Sequence, residues 1–515
     1  MYADGDAHVT STGSFVHDGV LAAKGGSTLS VGSLQAGTGS LLAAGMRADG
    51  SLAGAGALSV SSTGAVDAHG QNIAAGTLDF NGASIDLAGS ATSAANMSLT
   101  ANQLDVSTAG ASVSTAGTLK VTANANGLQK LDNTDGELAA GTLDIAASNI
   151  ANVRGTIVQT GTSASVLGVS GALDNTSGRI ASNGSAWHLS AGTLTNTDGR
   201  LAHAGTGTFT VHAGNVASTR GAVSSNGIVD LTASTVTLDD GVLSAERILL
   251  HADTLSNRSG DIVQTGSASS TIAVTGSIDN TAGRIASNGS TTLTGGSLLN
   301  QGGAVQTGGP ASLAVAVSGL LDNGALGLIS GNAGVQVSAG TISNVQGQMT
   351  AGQTLGVTAA GGIDNRSGVV AGNGQVTVSG VSVDNRAGTI GSVQSGATVN
   401  ATRGALLNSG GRVEAAQSVS VTALGIDNAN GTIGGTGVTL DTAGTAIDNS
   451  QGAIGSRGSL DIRSGALNND RGLVQATGAL TVDTNGQTLA NTNAGAAGGI
   501  VGQSTVALAT GSLVN

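Results

Sequence analysis

A short motif returns along this chain at nearly constant spacing: an apolar residue, any residue, Asn, two variable residues, Gly, any residue, then Ile, Val or Leu. It reads LDNTDGEL from Leu131, LDNTSGRI from Leu173, IDNTAGRI from Ile278, IDNRSGVV from Ile363 and LNNDRGLV from Leu467. Its asparagines are Asn133, Asn152, Asn175, Asn196, Asn257, Asn280, Asn300, Asn323, Asn344, Asn365, Asn385, Asn408, Asn428, Asn449, Asn469 and Asn491. They lie roughly 19 to 23 residues apart, a repeat-architecture period in which each unit buries its apolar face by stacking on the next. The gap from Asn196 to Asn257 fits about three periods. Ser218 fills the first missing place, and the second is degenerate, near Leu238 to Gly241.

Each period also holds a short alternating run, such as WHLSAG from Trp187, FTVHAG from Phe209 and VDLTAS from Val229. Alternation signals strands with one buried face, so a period reads as three short strands separated by Gly, Ser, Asn and Asp turns. Helices are disfavoured because Gly at this density weakens almost every turn of a helix. Short strands on a period near 21 suit the rungs of an all-β parallel β-helix, a β-solenoid. An inward Asn at one corner of successive coils would then form a ladder, each amide satisfied by its neighbours. Roughly 24 coils at about 4.8 Å rise predict a rod on the order of 115 Å long. The leucine-rich repeat is the structural alternative, but its LxxLxLxxN spacing is not kept.

Residues 131–515 carry the regular Asn-marked repeats. Residues 1–130 keep the rhythm without the Asn, in TLDF from Thr77, MSLTA from Met97 and LKVTA from Leu119. They are expected to be drifted repeats of the same solenoid, continuous with the rest. The array is expected to run past both ends, since the chain stops at SLVN with Asn515 at a marker position. A block from about Thr156 to Ser185 recurs at an offset of roughly 105 residues, five whole coils, which keeps every buried position buried.

Composition narrows the function classes. With 86 Gly, one Trp, one Tyr and three Phe in 515 residues, the interior must be thin and built from small aliphatic side chains. Three lysines and a net charge of -13 argue against a nucleic-acid surface. The absence of Cys removes disulfide frameworks and the usual structural zinc sites. No apolar run approaches a membrane span. The start, MYADGDAHVTSTG, lacks the basic and apolar segments of a signal peptide.

Motifs for catalysis, metals or phosphates are missing: no HExxH, P-loop, EF-hand loop or GxSxG elbow occurs. The seven histidines are His8, His17, His69, His188, His203, His212 and His251, and a solvated role is expected for them. His188 and His212 fall out of phase with Trp187, Leu189, Phe209 and Val211, hence outward. Trp187, Phe209 and Val229 should stack as a core column. The marker aspartates Asp132, Asp174, Asp279, Asp322, Asp364, Asp384, Asp427 and Asp448 should form an outward stripe. Arg179, Arg284, Arg366 and Arg386 are placed to neutralise it, with calcium as the alternative. β-Solenoid polysaccharide lyases and hydrolases build sites from long loops and converging carboxylates, basic residues and aromatics. Uniform coils without long insertions argue against an enzyme, and no catalytic residue, cofactor or small-molecule substrate is assigned.

The series LDNTSGRIASNG, LTNTDGRLAHAG, IDNRSGVVAGNG and VDNRAGTIGSVQ closely resembles the repeats of filamentous haemagglutinin and related exoproteins of bacterial two-partner secretion. The resemblance is specific from Leu131 onward and weaker before it. It implies a right-handed parallel β-helix shaft, passed through the outer membrane by a dedicated transporter and displayed on or shed from a Gram-negative cell. Members act as adhesins, in biofilms, or as stalks for toxins of contact-dependent growth inhibition, and host or neighbouring-cell receptors or glycans are the implied partners. The family's amino-terminal secretion domain with its NPN motifs is not in this segment, whose sole proline is Pro310, and neither an RGD tripeptide nor a VENN motif occurs.

Overall fold

A computed structural model of the chain describes residues 1–123, 129–495 and 498–515. Two compact units result, Met1–Asp253 and Thr254–Asn515. Each is a parallel β-solenoid, and no helix occurs among the described residues. Alternation decides which side chains fill it. The strand Val335–Ala339 buries Val335, Val337 and Ala339 and exposes Gln336 and Ser338.

In each unit, like positions of successive coils stack in register. In the first unit, Leu131 pairs with Ile150, Ile150 with Leu173 and Leu173 with Leu194. In the second, Ile342 pairs with Ile363, Ile363 with Val383 and Val383 with Leu406. These aliphatic columns are buried along their length. A coil adds its apolar face only against an existing one, so the core is a stack of thin layers rather than a globule.

The earliest residues are built the same way, with Val66 paired to Ile85 and Ile85 to Val106. The ladder place is held there by Ala36, Ala68 and Leu87, all buried, and then by Thr108. Apolar filling explains why the rhythm persists without the Asn marker.

Two features depart from the sequence reading. Strands do not always stop at the corners: Ala222–Thr237 runs as one 16-residue strand through a whole coil. Its strand continues through Asn226 and Gly227, where a turn between strands is expected. The coils are also not uniform. Leu21 pairs with Leu42, 21 residues on, but Leu42 pairs with Asn72, 30 residues on. The extra length is a loop between Gly45 and Ala57, closed by an antiparallel bridge from Met46 to Leu52.

Candidate functional site

The marker asparagines come together as two hydrogen-bonded columns, one in each unit. In the first, Asn133 Nδ2 donates to Asn152 Oδ1 at 2.7 Å, Asn152 to Asn175 at 2.7 Å and Asn175 to Asn196 at 2.6 Å. Thr108 Oγ1 donates into its start, 2.9 Å from Asn133 Oδ1, and Ser218 Oγ accepts from Asn196 at 2.9 Å. Leu238 holds the next place. In the second unit the column begins at Asn257 and passes through Asn280, Asn300, Asn323, Asn344 and Asn365. It continues through Asn385, Asn408, Asn428, Asn449 and Asn469 to Asn491 and Asn515. Asn257 Oδ1 is buried with no partner among the described residues.

Each amide does more than link to its neighbour. Asn344 Nδ2 also lies 3.3 Å from the Gly347 carbonyl of its own turn and 3.2 Å from the Val369 carbonyl of the next coil. The same side chain therefore shapes its turn and fastens the following one. A typical net contribution is about 0.5 to 1.5 kcal/mol per bond, and stranding a buried partner costs about 1 to 3 kcal/mol.

The motif's remaining letters have distinct physical causes. The residue two after the Asn is left-handed: Asp135 has φ 55°, Ser177 54° and Ala387 56°. The Gly three after the Asn serves a different need. A Cβ on Gly178 would sit 2.0 Å from the Asn152 carbonyl oxygen, so only hydrogen lets the two coils approach. The sequence motif does not reveal that the left-handed residue and the obligatory glycine are neighbours rather than one residue.

The Asp before the Asn closes the turn. Asp132 Oδ1 accepts from Thr134 N at 3.1 Å and Thr134 Oγ1 at 2.7 Å; Asp279 does the same with Thr281. This is an Asx turn, in which the carboxylate mimics a backbone carbonyl. Partial burial would raise the Asp132 pKa, but the Thr134 and Lys130 hydrogen bonds outweigh it and the net displacement is downward. Asp279 and Asp384 are lowered for parallel reasons, with Thr281 and Arg258 on the first and Arg386 and Arg366 on the second.

Of the expected charge partners, Arg366 meets Asp364 at 2.7 Å and reaches Asp384 of the next coil at 3.8 Å. Arg386 pairs with Asp384 at 2.5 Å. Arg284 instead faces Asp261 at 3.7 Å, and no ion pair joins Arg179 to Asp174 among the described residues. Both open the strand after the turn and are exposed. Two unforeseen pairs link left-handed residues across coils: Arg154 grips Asp135 at 2.8 and 2.6 Å, and Arg220 grips Asp198 at 2.8 Å through both contacts. Exposed pairs of this kind contribute little each.

Trp187, Phe209 and Val229 are register partners in consecutive coils and all are buried. His188 and His212 are exposed. The solvated reading fails for His17 and His203, which are 9% and 2% exposed. His203 shares phase with buried Leu201 in the strand Arg200–His203, so alternation turns it inward. Among the described residues no group of three or more His, Cys, Asp or Glu is placed to hold a metal ion.

A family comparison matches the start of the chain and the repeats of the second unit. Residues 2–70, 263–325, 307–367, 357–410, 395–451 and 444–515 each match the haemagglutinin repeat. The chain belongs to the haemagglutinin repeat family. Over 139 residues the chain is 32% identical to Toxin CdiA of Yersinia pestis. The match covers 27% of this chain and 4% of that protein, so the chain spans a small fraction of the curated relative. No solved structure matches these haemagglutinin repeats significantly.

Proposed function

We propose that this chain is a shaft segment of a secreted or surface-displayed two-partner secretion exoprotein, exported through an outer-membrane transporter by a Gram-negative bacterium. Its work is to carry contact between cells, as an adhesin or in a biofilm. One observation carries the reading: the inward asparagines of the haemagglutinin repeats are spent on columns of coil-to-coil hydrogen bonds. A stack of this kind extends reach per residue and presents the same faces again and again.

A second reading, the stalk of a toxin-delivery exoprotein of contact-dependent growth inhibition, is favoured by the similarity to Toxin CdiA. Binding of the purified chain to host or bacterial cells, or to arrayed glycans, supports the adhesive role. Absence of binding together with a toxin domain encoded downstream would favour the stalk. Depolymerisation of a polysaccharide on incubation would overturn both in favour of an enzyme.

A further inference from the structure

The duplicated block places one arginine in two electrostatic settings. In the later copy Arg284 stands between Asp261 of the preceding coil and Ala304 of the following one, and it meets Asp261 at 3.7 Å. In the earlier copy the equivalent Arg179 stands between Thr156 and Arg200. Both differences act in the same direction. A carboxylate gives way to an uncharged hydroxyl, and a methyl group to a second guanidinium.

Arg179 and Arg200 are direct register partners, and each opens its strand as an exposed residue. Neighbouring strands lie about 4.8 Å apart, so the two side chains stand side by side. Like charges directly opposite one another on a sheet repel. Neither guanidinium has an ion-pair or hydrogen-bond partner among the described residues. Asp198, two residues before Arg200, is gripped by Arg220 through both oxygens. Asp174 Oδ1 is taken by Thr176 N and Thr176 Oγ1. Glu137 lies two coils from Arg179, beyond Thr156, at about 10 Å of rise. Ala222 follows Arg200 on the other side and is uncharged.

Other cations of the first unit are treated differently: Lys24, Lys130, Arg154 and Arg220 each meet a carboxylate. The next residues on the face of the arginine pair are Ala181 and Ala202, whose methyl groups leave that side open. In a chain of net charge -13, the pair is a local surplus of two positive charges.

We infer that Arg179 and Arg200 together bind a phosphate monoester. Each guanidinium offers a planar fork of N–H donors matched to oxyanions. Above its second pKa, near about 6, a phosphate monoester carries close to two negative charges and three acceptor oxygens. A sulfate ester or a carboxylate carries one charge and balances half of the pair. Held between the two forks, the monoester replaces their mutual repulsion with two charge-assisted contacts. The later copy lacks this site, because Asp261 already engages Arg284 and Ala304 supplies no second fork.

Methyl phosphate titrated into the full chain at about pH 7.5, where it is a dianion, tests this through the arginine Nε–Hε magnetic resonance signals. Those of Arg179 and Arg200 should shift together and saturate, while that of Arg284 stays in place. Methyl sulfate should bind about fivefold more weakly, for want of the second ionic contact, and so should methyl phosphate as a monoanion near about pH 5. Arg200→Ala copies Ala304 and Thr156→Asp copies Asp261; each should abolish the saturable response, the second with both arginines retained. Either variant carries the test should the other fail to fold. Vesicles of phosphatidic acid in phosphatidylcholine identify the source: sedimentation of the unmodified chain but not of Arg200→Ala marks a lipid headgroup. Saturable methyl phosphate binding without sedimentation marks a soluble or sugar-borne ester. Shifts that do not saturate, an equal response at Arg284 or to methyl sulfate, or unchanged binding in a folded variant would overturn the site.

Discussion

Trp187 and Phe209, one coil apart in register, stack with ring centroids 4.1 Å apart and planes within 4°. In an interior made mostly of Val, Ile, Leu and Ala, this pair is a buried aromatic stack in the first unit. Trp187→Ala should cost about 3 to 5 kcal/mol of local stability. Because each coil leans mainly on its neighbours, loss of amide protection should be greatest between residues 165 and 231 and fade within a few coils. Uniform loss across all coils would contradict this.

Asn365→Ala removes the acceptor used by Asn344 Nδ2 and the donor used by Asn385 Oδ1. Stranding buried partners on both sides should destabilise the second unit by about 1 to 3 kcal/mol or more. Chemical denaturation measures the total, and exchange at Gly347, Gly368 and Gly388 locates it.

Glycines at two kinds of position should answer substitution differently. Gly178→Ala drives a Cβ to 2.0 Å from the Asn152 carbonyl and should separate adjoining coils, with a midpoint fall of many degrees. Gly434 faces outward, its nearest neighbour to a new Cβ being the Gly455 carbonyl at 3.7 Å. Gly434→Ala should be neutral or stabilising by up to about 1 kcal/mol, since it reduces the entropy of the unfolded chain. Paired melting curves decide it.

Two aspartates should give opposite dependences on pH. Asp384 is held below the usual carboxylate range: burial opposes this, but hydrogen bonds from Arg386 and the charge of Arg366 prevail. Its stabilisation is full above the unfolded value near about 3.9 and is lost as pH falls through the folded one. Asp384→Asn should therefore weaken the fold at neutral pH and matter little in strong acid.

Asp67 is raised by burial first and then by Asp86, its register partner, with His69 opposing. Its ionised form burdens the folded state above the folded pKa, and that burden disappears as pH falls below the unfolded one. Asp67→Asn should stabilise the first unit at neutral pH and have no effect near about pH 2. Thermal unfolding across pH separates the two signs.

The solenoid and the asparagine columns were legible because a stacked fold repeats its constraints. One inward amide per coil leaves one Asn per period, visible without any knowledge of neighbours. The turn aspartates were legible as a stripe but not as turn closures, since Asp132 acts through Thr134, two residues along the same turn. The signal for His203 was present: it lies in phase with Leu201, whereas His188 lies out of phase with Trp187 and Leu189. The loop between Gly45 and Ala57 was masked by the same Gly, Ser and Ala that make ordinary turns. The alternative partner of Arg284 depended on lateral proximity to Asp261, which one-dimensional spacing does not encode.

The amide columns have a sense of travel. From Asn257 through Asn491, every Nδ2 points to the Oδ1 of the following coil. A coil entering the column must therefore offer its oxygen on one side and its hydrogens on the other, as a one-way zip does. Growth of such a column is vectorial: a coil presented in reverse sense would set oxygen against oxygen or hydrogen against hydrogen. The sidedness of the backbone is thus repeated by the side chains, and a misordered coil forfeits hydrogen bonds as well as apolar contacts.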